Sequence, residues 1–287
     1  MLKNRRTFIK NTSLAAAAAI VMPSCITKST SKMDHKIGLG LYTVRDQMME
    51  DPISTLKKVA EIGYAKIETA NYSDGKCYGF SAKDFRSIVE DLGLESTSGH
   101  YSSQVFHESF DQLLEFLVES NQQYAVFPYL TPEQRISLDQ YKGYAEVLNR
   151  CAEKAKSANV TVCYHNHDFE FIELEGEKPM DVILRETDPK LVQIELDLYW
   201  ISKVGLDPID FFEQNKGRIP LWHMKDMANT PEQEFAEVGE GIIDFKSIMA
   251  NKDISGMKHF FVEQDKSDDP MKSIALSYNN LVNKILV

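Results

Sequence analysis

Hydrophobic and polar positions follow two alternating periods along most of the chain. From Lys36 onward, short apolar, β-rich runs are separated by longer stretches in which apolar residues recur every three or four positions. This alternation is typical of βαβ units that build a parallel sheet. The eight predicted strands are residues 37–42, 66–70, 95–100, 124–128, 160–165, 192–197, 221–225 and 259–263.

Capping residues mark the ends of the predicted helices. Asp51 and Pro52 form an N-cap followed by an N1 proline, and Gly63 closes the helix that they open. Ser81 opens the next helix. Thr131 is expected to start a long helix that runs to about residue 157. Later helices are expected to begin after Asp207, after Asp244 and near Pro270.

Eight uninterrupted strand–helix alternations favour a closed barrel over an open sheet. We therefore predict an α/β protein with a single (β/α)8 TIM barrel domain over residues 36–287. The 287 residues, 43% of them hydrophobic, suffice for one large core. No glycine-rich phosphate motif follows the first strand, which argues against a nucleotide-binding sheet.

The N-terminal segment has a different character. Arg5 and Arg6 precede an alanine-rich run that is too short to span a bilayer. Residues 1–24 are therefore predicted to be a twin-arginine export signal, with an uncleaved amphipathic anchor as the alternative. Residues 25–35 are predicted to be a linker, and Cys25 is a candidate for lipidation. The expected location is periplasmic or lipid-anchored at the cell envelope.

The net charge and the cysteine spacing argue against nucleic-acid binding and against a cysteine-based site. The formal net charge is −11, so no basic surface is expected to neutralise nucleic-acid phosphates. Cys77, Cys151 and Cys163 match no zinc or disulfide pattern, so we interpret each as a small buried hydrophobic residue.

Four predicted strands end in side chains that bind metals. Their sequences are YHNH at residues 164–167, ELD at 195–197, HMKD at 223–226 and EQD at 263–265. In a (β/α)8 barrel the carboxyl ends of the strands converge on one pocket. Imidazoles and carboxylates that meet there would form a divalent-metal site of mixed nitrogen and oxygen donors.

These motifs resemble the xylose-isomerase-like barrel superfamily, which includes sugar isomerases, hexulose 3-epimerases, inosose isomerases and dehydratases, and endonuclease IV. Further marks are LYTVR at residues 41–45, SGH at 98–100 and GEG at 239–241. The resemblance implies one divalent ion (Mn, Co, Zn or Mg) held by Glu, Asp, His and Glu from strands five to eight. Asp197, His223 and Glu263 match three of these ligands. His165 replaces the first glutamate, with Glu170 or His167 as alternatives.

The resemblance also implies enolising chemistry, in which the metal polarises a carbonyl and a carboxylate removes the neighbouring proton. The catalytic candidates are Glu263, Lys225, His100 and Glu170. A salt bridge with Glu195 is the alternative for Lys225. Glu195 is expected to orient a metal ligand, and Asp226 to orient nearby loop backbone.

Six residues near the predicted barrel mouth are candidates for substrate binding. Structural alternatives stay open for two of them, because Trp200 also suits packing at the rim and Glu240 a plain turn. The six are Tyr42, Arg45, Glu68, His167, Trp200 and Glu240.

The leading functional prediction is a metal-dependent isomerase or epimerase of an unphosphorylated sugar or polyol derivative. The main alternative is a lyase or dehydratase of a keto sugar or keto-glycoside, because His165 removes one of the paired glutamates of the epimerases. A phosphodiesterase like endonuclease IV and a non-catalytic carbohydrate-binding barrel are the less favoured alternatives.

Overall fold

Eight parallel strands close into a barrel in the computed structural model, which describes residues 36–287. All eight predicted strands are confirmed, with bounds that differ by at most two residues at either end. The strands are β1 (Gly38–Gly40), β2 (Lys66–Thr69), β3 (Glu95–His100), β4 (Tyr124–Phe127), β5 (Thr161–His165), β6 (Val192–Asp197), β7 (Leu221–Met224) and β8 (His259–Val262).

The strands follow one another around the barrel in chain order. β1 pairs with β2 on one side and with β8 on the other, where Gly38 lies opposite Phe261 and Leu39 opposite Val262. This last pairing closes the sheet, so no barrel strand is an edge. The predicted single-domain (β/α)8 barrel is confirmed for the described part of the chain.

Helices connect the strands on the outside of the barrel. They are α1 (Arg45–Glu50), α2 (Pro52–Ile62), α3 (Ala82–Asp91), α4 (Ser103–Glu108), α5 (Phe110–Ser120), α6 (Leu138–Lys156), α7 (Pro179–Glu186), α8 (Leu198–Lys203), α9 (Pro208–Gln214), α10 (Phe245–Ala250), α11 (Lys252–Ser255) and α12 (Pro270–Asn280). Two short antiparallel hairpins are separate from the barrel sheet, Tyr72–Ser73 with Lys76–Cys77 and Asp226–Met227 with Phe235–Ala236.

The predicted helix caps are present. The Asp51 carboxylate accepts a hydrogen bond from the Ser54 backbone N–H, and Gly63 ends α2 with a φ of 119°. The long helix begins later than predicted, however. Thr131 forms its capping box on a 3-10 turn, Pro132–Gln134, and α6 starts afresh at Leu138, where the Ser137 hydroxyl accepts from the Gln140 N–H. A second capping residue, Ser137, therefore begins the long helix in place of Thr131.

An apolar layer fills the barrel beneath its carboxyl end. Cys163, Leu221 and Phe261 are buried together there with Tyr124 and Val126. Two residues after each of the first three comes a polar residue, His165, His223 and Glu263 respectively. Residues two apart in a strand point to the same face, so each polar side chain lies on the same side of the sheet as the apolar one before it. The apolar layer therefore supports a polar layer above it. All three cysteines at positions 77, 151 and 163 are free and buried, as predicted.

Among residues 36–287, no helix is both long and apolar enough to cross a membrane. The predicted export signal, the linker and Cys25 lie outside the described residues.

Candidate active site and metal centre

The polar layer at the carboxyl end of the barrel contains two groups of charged side chains. The inner cluster consists of Glu68, His100, His165, Glu195 and His223, and the outer group consists of Asp197, Lys225, Glu263 and Asp265. Six different strands, or the residues just after them, supply these side chains. All four predicted metal ligands and three of the four predicted catalytic residues lie in one or other of these two groups.

Glu195 is the centre of the inner cluster. Its Oε2 lies 2.7 Å from His100 Nε2, 3.0 Å from His165 Nδ1 and 3.4 Å from His223 Nε2. Burial, and then the nearby Glu68 carboxylate, raise the pKa of Glu195 to about 7. Burial lowers the pKa of His165 well below its usual range, and the neighbouring imidazoles add to this shift.

Glu68 binds the other side of the same imidazoles. Its Oε2 lies 2.5 Å from His223 Nε2 and 3.1 Å from His100 Nε2, while its Oε1 accepts a 2.6 Å hydrogen bond from the Ser98 hydroxyl. Burial opposes ionisation of Glu68, but the charges of His100 and His223 outweigh it and hold its pKa well below its usual range. The sequence predicted Glu68 as a substrate-binding residue, whereas here its contacts are to two histidines and a serine.

Lys225 organises the outer group. Its Nζ lies 2.6 Å from Asp265 Oδ1, 3.0 Å from Asp197 Oδ2 and 3.2 Å from Glu263 Oε1. Burial opposes the charge, but the three carboxylates outweigh burial and raise the pKa of Lys225 well above its usual range. Lys225 therefore touches the candidate base Glu263 and forms salt bridges, but not with Glu195, the partner that the sequence suggested.

His165 and His223 join the two groups. His165 Nε2 lies 3.6 Å from Asp197 Oδ2, and His223 Nδ1 lies 3.1 Å from Glu263 Oε2. Each ring therefore directs one nitrogen to the inner cluster and the other to the outer group. The Asp197 Oδ2 and His223 Nδ1 atoms are buried without a partner of hydrogen-bond geometry.

These contacts test whether the site suits a metal ion. The four predicted donors supply two imidazole nitrogens and two carboxylate oxygens, a set that suits borderline divalent ions such as Zn²⁺ or Co²⁺. His223 Nδ1 is buried without a hydrogen-bond partner, which is costly, whereas Asp197 Oδ2 already has the Lys225 ammonium at 3.0 Å. The residues therefore fit a divalent ion. Inner-cluster atoms of His100, His165, Glu195 and His223 also lie within 4.8 Å of one another, and so do atoms of Glu68, His223 and Glu263.

The backbone around β6 fixes Asp197. Its Oδ1 caps α8 by accepting from the backbone N–H groups of Tyr199, at 3.0 Å, and Trp200, at 3.1 Å. The Asp197 N–H in turn donates to Asn166 Oδ1 at 2.9 Å. Only Asp197 Oδ2 then faces the outer group. Asn166 and Ser98 were not predicted as site residues, although both lie within motifs that carried the resemblance.

Glu170 lies apart from both groups. Its carboxylate accepts hydrogen bonds from the Tyr164 hydroxyl at 2.8 Å and from the His167 N–H at 2.7 Å. The residue is fully buried, and burial raises its pKa to about 8. Its carboxylate therefore braces the loop after β5, and the described contacts give it no partner in the outer group.

Aromatic rings line the neighbouring edge of the site. His167 stacks on Phe169 with 5.4 Å between centroids, and it lies 5.0 Å from the ring of Tyr129 and 5.7 Å from that of Trp200. Trp200 also packs against Phe235 of the hairpin after β7. His167 and Trp200, both predicted substrate-binding residues, thus belong to one aromatic edge.

The remaining predicted binding residues have other partners. The Arg45 guanidinium lies 4.4 Å from the centroid of the Tyr42 ring and donates to the Tyr42 carbonyl, so these two residues pair with each other after β1. The Glu240 carboxylate pairs with Asn280 at 2.9 Å and Lys284 at 2.8 Å. Within residues 36–287, these contacts tie Glu240 to the C-terminal helical segment rather than to either charged group.

Asp226 fixes the loop that follows β7. Its two oxygens accept hydrogen bonds from four backbone N–H groups, as the sequence led us to expect for a residue that orients loop backbone. The donors are Met227 at 2.8 Å, Gly239 at 2.8 Å, Gly241 at 3.0 Å and Ile243 at 3.1 Å.

Comparison with known proteins agrees with this architecture. Residues 56–273 match the family model described as xylose isomerase-like TIM barrel. An inosose dehydratase from Geobacillus thermodenitrificans is 28% identical over 137 residues, which are 42% of this chain and 45% of the relative. An inosose dehydratase from Lacticaseibacillus casei is 25% identical over 164 residues, 52% of this chain and 54% of the relative. The chain thus spans about half the length of the curated relatives it matches.

A solved structure shares the fold over nearly the whole chain. A sugar phosphate isomerase/epimerase from Parabacteroides distasonis superposes with a TM-score of 0.77 at 24% identity, and the match covers 93% of this chain and 100% of that one. The family match spans most of the barrel, and the chain belongs to the xylose isomerase-like TIM barrel family.

Proposed function

We propose that the protein is a divalent-metal-dependent enzyme that removes the proton next to the carbonyl of an unphosphorylated keto sugar or keto polyol, with elimination as the outcome. The observation that carries this proposal is the contact between Glu263 and two different partners, His223 at 3.1 Å and Lys225 at 3.2 Å. A carboxylate base thus lies beside both a metal-binding imidazole and an ammonium group.

The metal would be held by His165, Asp197, His223 and Glu263. When bound, such an ion acts as a Lewis acid that polarises the carbonyl and lowers the pKa of the adjacent C–H. Glu263 is suited to accept that proton through the oxygen that it does not direct at His223. Lys225 and His100 are suited to donate a proton or hydrogen bond to an oxygen that gains charge.

We favour elimination because the end of β5, where the epimerases of this family carry a glutamate that acts as a second base, has no free carboxylate here. An epimerase needs a base on each face of the substrate. The β5 position holds His165 here, and the nearby Glu170 is occupied by Tyr164 and the His167 backbone. One base and separate acids suit the loss of water or another leaving group. The inosose dehydratase relatives support the same reaction class.

An unphosphorylated substrate is supported by two features of the sequence. The net charge of −11 disfavours a polyanionic ligand. The twin-arginine pattern in residues 1–24 suggests export, and we propose a periplasmic or envelope-anchored protein that meets substrates outside the cytoplasm, where sugar phosphates are not the common metabolites.

The test is an NMR-monitored screen of free and 3-keto sugars, keto polyols and keto-glycosides in D₂O with Mn²⁺, Co²⁺, Zn²⁺ and Mg²⁺. Elimination releases the leaving group and creates an unsaturated product, while Glu263→Gln abolishes both this product and solvent-deuterium exchange. Proton exchange or elimination that continues in Glu263→Gln would refute the role of that residue.

The second candidate is isomerase or epimerase activity on the same substrates. Glu68 and Glu195 favour it, because the barrel holds further carboxylates close to His223. In the same screen, this reaction would incorporate deuterium and release no leaving group. An epimerase product would have an inverted carbon centre, and an isomerase product would have its carbonyl at a different carbon.

A further inference from the structure

The two nitrogens of His223 have different partners on opposite sides of the ring. Nε2 lies 2.5 Å from Glu68 Oε2 with hydrogen-bond geometry. Nδ1 lies 3.1 Å from Glu263 Oε2, but without the geometry of a hydrogen bond. The side chain is fully buried, so water does not supply an alternative partner to either nitrogen at the surface.

This asymmetry determines which nitrogen can bind a metal. Metal binding displaces one of the two protons that a charged imidazole carries, which leaves one N–H and one metal-binding nitrogen, and a carboxylate only accepts hydrogen bonds. The hydrogen on His223 is therefore held at Nε2 by Glu68. The Nδ1 lone pair then points toward the outer group, where Glu263 Oε2 lies 3.1 Å away.

Glu68 is itself held in place by β3. Glu68 and Ser98 are opposite one another in the β2–β3 register, and the Ser98 hydroxyl donates to Glu68 Oε1 at 2.6 Å. His100 Nε2 lies 3.1 Å from the other carboxylate oxygen. With both oxygens engaged, the carboxylate is fixed relative to His223, and metal ligands are commonly oriented by such acceptors.

We propose that Glu68 is a positioning residue that fixes the tautomer of His223, so that Nδ1 is the atom that binds the metal. This inference rests on the proposed function, which supplies the metal ion. It assigns Glu68 a contact with a metal ligand in place of the substrate contact predicted from the sequence.

The first test identifies the ligating nitrogen directly. Protein labelled with ¹⁵N-histidine is loaded with Zn²⁺, without substrate, and two-bond ¹H–¹⁵N spectra distinguish the protonated from the metal-bound nitrogen of each ring. His223→Gln assigns the signal among the seven histidines. Zinc on Nδ1 with a proton on Nε2 is the expected result, and zinc on Nε2 would overturn the inference.

The second test measures Zn²⁺ affinity by competition with a chelator dye. Glu68→Ala is expected to weaken binding about 10- to 100-fold, the usual effect of removing an acceptor from a metal-bound histidine. Glu68→Gln keeps an accepting oxygen and is expected to lose less than Glu68→Ala. Glu95→Gln changes an exposed glutamate at the opposite end of β3 and is the matched control, with unchanged affinity.

The outcomes separate this inference from the proposed function. Wild-type affinity in Glu68→Ala would overturn the inference even if the enzyme acts on sugars. Zinc bound through Nδ1, with the expected losses in the variants, supports the inference even if no sugar is converted, a result that refutes only the proposed reaction. The wild-type spectra do not depend on whether Glu68→Ala folds. A wild type that binds no Zn²⁺ would overturn the inference, and one that also binds no Mn²⁺, Co²⁺ or Mg²⁺ would overturn the proposed function as well.

Discussion

The ammonium group of Lys225 lies 3.0 Å from the Asp197 carboxylate, although both side chains are almost fully buried. Asp265 and Glu263 share the same lysine, so one cation offsets three acids in a space with little solvent. A buried charge is tolerated only when it is paired and hydrogen-bonded. Lys225 is therefore important for stability before any substrate or metal binds.

Removing the lysine charge tests this arrangement. Lys225→Met is expected to destabilise the metal-free protein by about 3–5 kcal/mol, because two buried carboxylates and the partly exposed Asp265 lose their partner. Urea unfolding measures the change, and added Zn²⁺ should restore part of it. Lys272→Met at an exposed position should change stability by less than about 0.5 kcal/mol. Equal stability of the two variants would refute the role of Lys225.

Glu170 predicts a pH-dependent contribution to stability. Burial raises its pKa to about 8 in the folded protein, from an ordinary value of 4.5. Between these pH values the folded state retains a proton that the unfolded state has lost, so stability falls as the pH rises through this window. Above about pH 8 the loss is complete, and at about 1.4 kcal/mol per pKa unit it amounts to a few kcal/mol.

Glu170→Gln removes this titration and should keep an acceptor for the Tyr164 hydroxyl. The free energy of unfolding of the variant, relative to the wild type, should therefore rise between pH 5 and 8 and then level off. Denaturant unfolding at several pH values measures the difference. A difference that does not change with pH would show that Glu170 is ionised throughout the range.

Asp226 should control the order of the loop after β7. In Asp226, Oδ1 accepts from the Met227 and Ile243 N–H groups, and Oδ2 accepts from those of Gly239 and Gly241. Asp226→Asn replaces one of these oxygens with an amide nitrogen, so at least one of the two pairs of N–H groups loses its acceptor. We expect a loss of about 2–3 kcal/mol, since hydrogen bonds to a charged group are stronger than average. Amide hydrogen exchange should accelerate at Gly239, Gly241 and Ile243. Unchanged exchange at these three amides would contradict the bracing role.

The Glu263 carboxylate occupies space that a side chain at position 40 would fill, and the glycine there keeps that space open. A Cβ atom at this position would overlap Glu263 Oε2, so Gly40→Ala should displace the carboxylate and lower activity at least tenfold. Turnover of the substrate found in the NMR screen measures this effect. The control is Gly143→Ala, where a Cβ meets nothing within 4 Å and α6 should gain about 1 kcal/mol. Full activity in Gly40→Ala would show that Glu263 tolerates displacement.

Where the structure differs from the predictions, another residue competes with the predicted cap or partner. Thr131 carries a complete start signal, but Ser137 offers another cap six residues later, and only packing decides which one begins the helix. Glu240 follows a glycine near the predicted mouth, yet Asn280 and Lys284 from the far end of the chain bind it. Competing partners that are distant in sequence leave no local pattern.

The sequence by itself determined the strands, the barrel and the concentration of donors at its carboxyl end. These properties follow from the periodicity of near neighbours and from the topology that eight βα units impose. The tertiary structure alone decided that Glu195 joins three imidazoles, that Lys225 joins three carboxylates and that Glu170 faces away. Such partnerships depend on ring closure and side-chain direction, because a strand fixes which face a residue occupies but not which atom of its side chain meets a neighbour.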